Sequence, residues 1–124
     1  MNLDIISCLN DNYSYLIQDS LSGKVAIIDP SEFGPCDDII NQRYKKLDFI
    51  LNTHHHFDHV GGNKELKKKY ASKILGFEND KDRIPEIDIL LKENQEFKVG
   101  NLNFNTLFIP GHTSGHVAFY LKKE

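Results

Sequence analysis

Tryptophan is absent from this chain of 124 residues, methionine occurs once and cysteine only twice. Two thiols, Cys8 and Cys36, make at most one bridge and neither belongs to a Cys-x-x-Cys pair. A disulfide-stapled miniprotein, a cysteine-based zinc finger and a thioredoxin-like redox centre are therefore excluded, and both cysteines read as buried bystanders. An apolar run near the ~20 residues that a membrane-spanning helix needs is also missing. The start, Met1-Asn2-Leu3-Asp4, carries no positive stretch ahead of an apolar one. The expectation is a cytoplasmic protein with no membrane partner. Nor is there an excess of positive charge: 15 Lys and Arg face 18 Asp and Glu, for a net charge of -3, which predicts no nucleic-acid partner. Repeats, low-complexity tracts and linkers are absent as well. What remains is a chain that is 40% hydrophobic, with eight Phe and five Tyr. That is enough for one packed domain that buries roughly two-thirds of its unfolded surface.

Periodicity along the chain alternates strands with short helices. Leu3 to Leu9 and Tyr13 to Gln18, separated by Asn10-Asp11-Asn12, predict a hairpin. Val25-Ala26-Ile27-Ile28 is a continuous apolar run, the pattern of a strand buried on both faces, and it stops at Asp29-Pro30. Asp37 to Tyr44 predicts a helix with acids early, bases late and Ile40 and Tyr44 on one face. Leu47 to Leu51 is a second buried-strand pattern. Gly61-Gly62 follows, Asn63 is placed to cap, and Lys64 to Tyr70 predicts a helix whose lysines form a solvated face. Further strands are predicted at Ser72 to Leu75, Ile87 to Leu91, Glu96 to Val99, Leu102 to Ile109 and Val117 to Leu121. Tyr13, Tyr15 and Tyr120 read as half-buried strand residues.

All six histidines fall in two windows, His54 to His59 and His112 to His116, each directly after a predicted strand. In extended backbone alternate side chains share a face, so His54 and His56 point together and His55 points away, while Asp58 and His59 follow at the turn. Imidazoles with a carboxylate are a donor set that suits Zn²⁺, and Fe and Mn accept the same set. In the second window Gly111 and Gly115 permit tight turns that let His112 reach the first cluster. Thr113 and Ser114 can support it with hydrogen bonds, and His116 divides between ligand and supporting roles. Ser114 lacks the strand-to-helix elbow that a nucleophilic serine uses.

The runs Thr53-His-His-His-Phe-Asp-His-Val-Gly-Gly-Asn63 and Pro110-Gly-His-Thr-Ser-Gly-His116 resemble the metallo-β-lactamase superfamily, and within it the glyoxalase II (hydroxyacylglutathione hydrolase) family. Leu9-Asn-Asp-Asn-Tyr-Ser-Tyr-Leu-Ile17 and Ile27-Ile-Asp-Pro30 resemble that family's first strands and its supporting aspartate, here Asp29. The resemblance implies an α/β fold, an αββα sandwich of mixed α+β character with metals at the sheet edges, truncated to about its N-terminal half. It places 1–124 in a single, incomplete domain. It also implies His54, His56 and His112 on one metal and Asp58 and His59 on a second, with Asp58 and His59 close to catalysis. Two zinc ions per complete family member, one of them firmly held here, are the implied cofactors. The family's bridging aspartate, its last histidine and its helical substrate-binding domain come later in the chain. After His116 this sequence has only Glu124 as an acid and no further histidine. The glycine that the family usually places after the proline is Ser31.

The implied activity is hydrolysis of a glutathione thioester such as S-lactoylglutathione. A divalent ion lowers the pKa of bound water toward about 7, so hydroxide is available at neutral pH. A thiol leaving group with a pKa near 8.5 departs without a strong general acid. Two alternatives stand beside it: a fragment that keeps a metal site with little or no activity, and another superfamily hydrolase or a sulfur-handling dioxygenase. The incomplete sandwich further predicts self-association, or a completing partner, through an exposed sheet.

Overall fold

The computed structural model describes residues 1–9, 12–54, 60–84, 86–109 and 117–122. The strands are β1 (Asn2–Cys8), β2 (Asn12–Gln18), β3 (Val25–Ile28), β4 (Phe49–Leu51), β5 (Lys73–Phe77), β6 (Ile89–Leu91), β7 (Glu96–Val99), β8 (Leu102–Phe108) and β9 (Val117–Leu121). Helix α1 (Phe33–Arg43) joins β3 to β4, and helix α2 (Asn63–Tyr70) precedes β5. Six strands form one sheet in the order β1-β2-β3-β4-β5-β6, antiparallel across the first three and parallel from β3 to β6. β7, β8 and β9 form a second, antiparallel sheet.

Alternation within the buried runs assigns each residue to a layer. Val25 and Ile27 of β3, Ile50 of β4 and Ile74 of β5 join Cys36 and Ile40 of α1 and Leu66 of α2 in one core. Their neighbours Ala26, Leu51 and Leu75 face the other way, onto Val99 of β7 and Phe104 of β8. The layers therefore run helices, large sheet, small sheet, which are three of the four layers of the expected sandwich. Each fully buried Leu or Ile contributes about 1.5–3 kcal/mol. Phe77 of β5 stacks on Phe108 of β8 with ring centroids 5.0 Å apart, fastening the two sheets near one end.

Three expectations need correction. Helix α1 begins at Phe33 rather than Asp37. Pro35 lies in its first turn, where a missing N–H breaks no helical bond. Asp37 consequently lies beyond the first turn and accepts hydrogen bonds from Lys69 Nζ and Tyr70 Oη instead of facing the helix N-terminus. Gly62, not Asn63, is the N-cap of α2. Tyr13, Tyr15 and Tyr120 are exposed rather than half-buried. Tyr13 and Tyr15 share a face with Leu3 and Ile5 across the β1–β2 register, and all four are exposed although Ile17 on that same face is buried between the sheets. Tyr120 lies on β9, the outer strand of the second sheet among the described residues. The cysteines are buried thiols with sulfurs 3.7 Å apart. Burial first, and the Cys8 thiol beside it, push Cys36 up to about 12, which suppresses its thiolate at neutral pH. Among the described residues no helix is long and apolar enough to cross a membrane.

Candidate metal centre

Because β3, β4 and β5 are parallel neighbours, their carboxyl ends open at one edge of the large sheet. Crevices outside such ends are where open α/β sheets bind ligands. The register runs straight into the first histidine window: Asp29 N donates to Leu51 O at 2.9 Å and Asn52 N donates to Leu75 O at 2.9 Å.

Asp29 leaves β3 with φ of 51°, a left-handed conformation that aspartate tolerates better than most side chains. Its carboxylate is buried and accepts Thr53 N at 2.8 Å on Oδ1 and the Thr53 hydroxyl at 2.5 Å on Oδ2. Charge-assisted bonds of this kind are worth about 1.5–3 kcal/mol each, which offsets the burial of the charge. Thr53 Oγ1 also lies 2.9 Å from His54 Nδ1. A carboxylate can only accept, so the single hydroxyl proton goes to Asp29 and the hydroxyl oxygen accepts from Nδ1–H. In neutral imidazole this puts the lone pair on Nε2, the form in which a histidine ligates a metal through that nitrogen. His54 itself is only 4% exposed. The donor chemistry at this position therefore fits a borderline cation such as Zn²⁺.

Neighbouring contacts hold this arrangement from behind. Ser14 Oγ of β2 donates to Asp29 O at 2.7 Å and accepts Ser31 N at 3.3 Å. Ser31, standing where a glycine was expected, is buried and its hydroxyl reaches Asp29 O at 3.4 Å. Gly62 N donates to Pro30 O at 2.8 Å, and a Cβ on Gly62 would meet that oxygen at 3.1 Å, so the start of α2 approaches the Asp29 turn closely. From the second sheet, Val117 N donates to Thr53 O at 2.8 Å. That bond ties the first residue of β9, immediately after the second histidine window, to the residue before His54.

Of the residues expected at the site, His54 is described and oriented as above. His55, His56, Asp58, His59, His112 and His116 lie outside the described residues. Among the described residues no group of three or more His, Cys, Asp or Glu side chains is placed to hold a metal. The resemblance marked Asp29 in advance. The part played by Thr53 is not foreseen from the sequence, although its hydroxyl stands directly before the first histidine, just past β4, beside the strand that Asp29 follows.

Residues 9–124 match the family model described as Metallo-beta-lactamase superfamily. A hydroxyacylglutathione hydrolase of Pelagibacter ubique is 50% identical over 124 residues, covering 100% of this chain and 52% of that protein. One of Methylococcus capsulatus is 45% identical over 119 residues, covering 96% and 46%. The chain thus spans about half the length of the curated relatives it matches. Among solved structures, ETHE1 from Myxococcus xanthus superposes with a TM-score of 0.82 at 25% identity, over 98% of this chain and 54% of that one. The B3 metallo-beta-lactamase BLEG-1 superposes with the same TM-score of 0.82 at 20% identity, over 97% and 67%. With the family model matched from residue 9 to residue 124 and the two-sheet architecture shared with these structures, the chain belongs to the metallo-β-lactamase superfamily.

Proposed function

We propose that this chain forms the first half of a metal-dependent thioester hydrolase domain acting on S-(hydroxyacyl)glutathiones such as S-lactoylglutathione. The observation that carries the reading is the chain of contacts Asp29–Thr53–His54, joined by the Val117 N to Thr53 O bond that sets the residue following the second histidine window beside the residue preceding the first. The substrate class rests on the relatives named hydroxyacylglutathione hydrolase, at 50% and 45% identity. His54, His56 and His112 would hold one divalent ion, and Asp58 and His59 would contribute to a second. Such an ion supplies Lewis acidity for the thioester carbonyl and acidifies water. Asp29 and Thr53 keep the proton of His54 on Nδ1 and its lone pair on Nε2. The glutathione thiol leaves as thiolate, so the site needs no strong general acid.

Steady-state hydrolysis of S-lactoylglutathione by metal-loaded protein tests the reading. The expected result is turnover that is lost on chelation and restored by Zn²⁺. Preference for a β-lactam or an RNA over the thioester would overturn the substrate assignment.

The apolar face of β1 and β2, with Leu3, Ile5, Tyr13 and Tyr15 exposed beside the inter-sheet core, supports self-association. Sedimentation should show a dimer or larger species that dissociates in an Ile5→Lys, Tyr15→Lys variant. A parent chain that sediments as a compact monomer would overturn it.

A further inference from the structure

The stretches of chain on either side of the first histidine window are joined by a side-chain pair that the proposed function leaves unused. Asn52, the residue after β4, and Asn63, the first residue of α2, are both fully buried. They exchange two amide hydrogen bonds: Asn63 Nδ2 donates to Asn52 Oδ1 at 2.6 Å, and Asn52 Nδ2 donates to Asn63 Oδ1 at 3.3 Å. Two facing primary amides, each giving one donor and one acceptor, form a closed and directional pair. Burying them is costly unless both bonds are made, and aliphatic side chains of the same volume would fill the space without that risk. What the amides add is a fixed mutual orientation.

Each amide is carried on anchored backbone. Asn52 N is bonded to Leu75 O, and the residue before Asn63 is bonded through Gly62 N to Pro30 O. Asn63 stands at a helix start where an asparagine ordinarily caps, yet Gly62 is the N-cap and no side chain among the described residues caps the helix. Its amide is directed inward to Asn52 instead. Between the two asparagines the sequence carries His54, His56, Asp58 and His59.

We propose that Asn52 and Asn63 are positioning residues, a clamp that fixes both ends of the ligand-bearing segment, so that metal affinity and coordination geometry depend on the pair. This rests on the metal-binding reading above. Supporting contacts around metal sites typically change affinity ten- to a hundredfold when removed.

Titration with Co²⁺, followed by its visible absorption bands and by calorimetry, tests the clamp on the 124-residue chain. Two variants are compared with the parent. Asn63→Asp keeps the volume and the weaker bond but loses the 2.6 Å donor, while the double variant Asn52→Leu, Asn63→Leu keeps the volume and loses both bonds. The expected result is about ten- to a hundredfold weaker Co²⁺ binding and an altered band pattern, in a variant whose metal-free melting temperature stays close to the parent's. A variant that melts like the parent and binds Co²⁺ with the parent's affinity and spectrum overturns the clamp. Failure of both variants to fold overturns it as well, because the pair would then serve stability alone. Failure of the parent itself to bind Co²⁺ overturns the metal reading, an outcome distinct from the other two.

Discussion

Two aspartates stand at opposite ends of the β2–β3 hairpin and use the same chemistry to different ends. Asp19 follows β2 and Asp29 follows β3, and both are buried. Asp29 accepts the backbone N–H and hydroxyl of Thr53. Asp19 accepts the backbone N–H and hydroxyl of Ser22 and, from the second sheet, Asn101 N at 2.8 Å. The Ser22 hydroxyl first, then the Asn101 N–H, hold the Asp19 carboxyl down to about 2. At the Asp29 end the hydroxyl it fixes touches an imidazole, so the carboxylate sets the tautomer of His54. At the Asp19 end the donors are turn residues, so the carboxylate joins the two sheets. A buried carboxylate binding a hydroxyl and an amide is a general fastening device, and the third group in the chain decides whether it serves chemistry or architecture.

Removing each fastening separates the two roles, and the largest effect is expected at the Asp29 end. Asp29→Ala should weaken Zn²⁺ binding about ten- to a hundredfold, since the orientation of His54 is no longer enforced. It also leaves Thr53 donors unpaired, at a cost of about 1–3 kcal/mol in urea unfolding. Calorimetry showing unchanged Zn²⁺ affinity would mean the two ends do not differ in kind.

At the opposite end Gly100→Ala should cost more than about 1 kcal/mol and leave metal affinity unchanged. Gly100 has φ of 59°, and a Cβ there would lie 1.9 Å from Ser22 Oγ and 2.5 Å from Asp19 Oδ2. A drop in Zn²⁺ affinity as large as that of Asp29→Ala would show that the inter-sheet joint also governs the site.

The smallest effect is a matter of pH. Asp19 titrates at about 2 in the folded chain, below the ~3.9 of an unfolded aspartate, so the unfolded state binds the proton first. Its stabilisation is therefore complete above about pH 5 and fades as pH falls through ~4 toward 2. Asp19→Asn should flatten that acid limb in urea midpoints measured between these values. An unchanged limb would remove Asp19 as its source.

Much of this was legible in the residues. Val25 to Ile28 read as a strand buried on both faces, and its side chains do alternate between the helix-side core and the inter-sheet core. Periodicity placed β7 at Glu96–Val99 and β9 at Val117–Leu121 because Gly100 and the glycines of the second window bound them sharply. Boundaries governed by a cap were harder. Early acids point to a start of α1 at Asp37, but the helix begins at Phe33, with Pro35 harmless in its first turn. Asn63 looked like a cap because the sequence shows its preference for helix starts and not the buried amide opposite it.

Strand faces, the two histidine windows and the family were readable from residue order, because side-chain period and residue type are local properties. Tertiary structure alone decided that β3 and β4 lie parallel with Asp29 beside Thr53, that the hydroxyl between Asp29 and His54 leaves the imidazole lone pair on Nε2, and that β9 returns to bond Thr53. These contacts join residues 24 and 64 positions apart, and no local propensity encodes which distant donor a carboxylate or a carbonyl will meet. Only the packing of two cores on either face of one sheet brings them within hydrogen-bond distance.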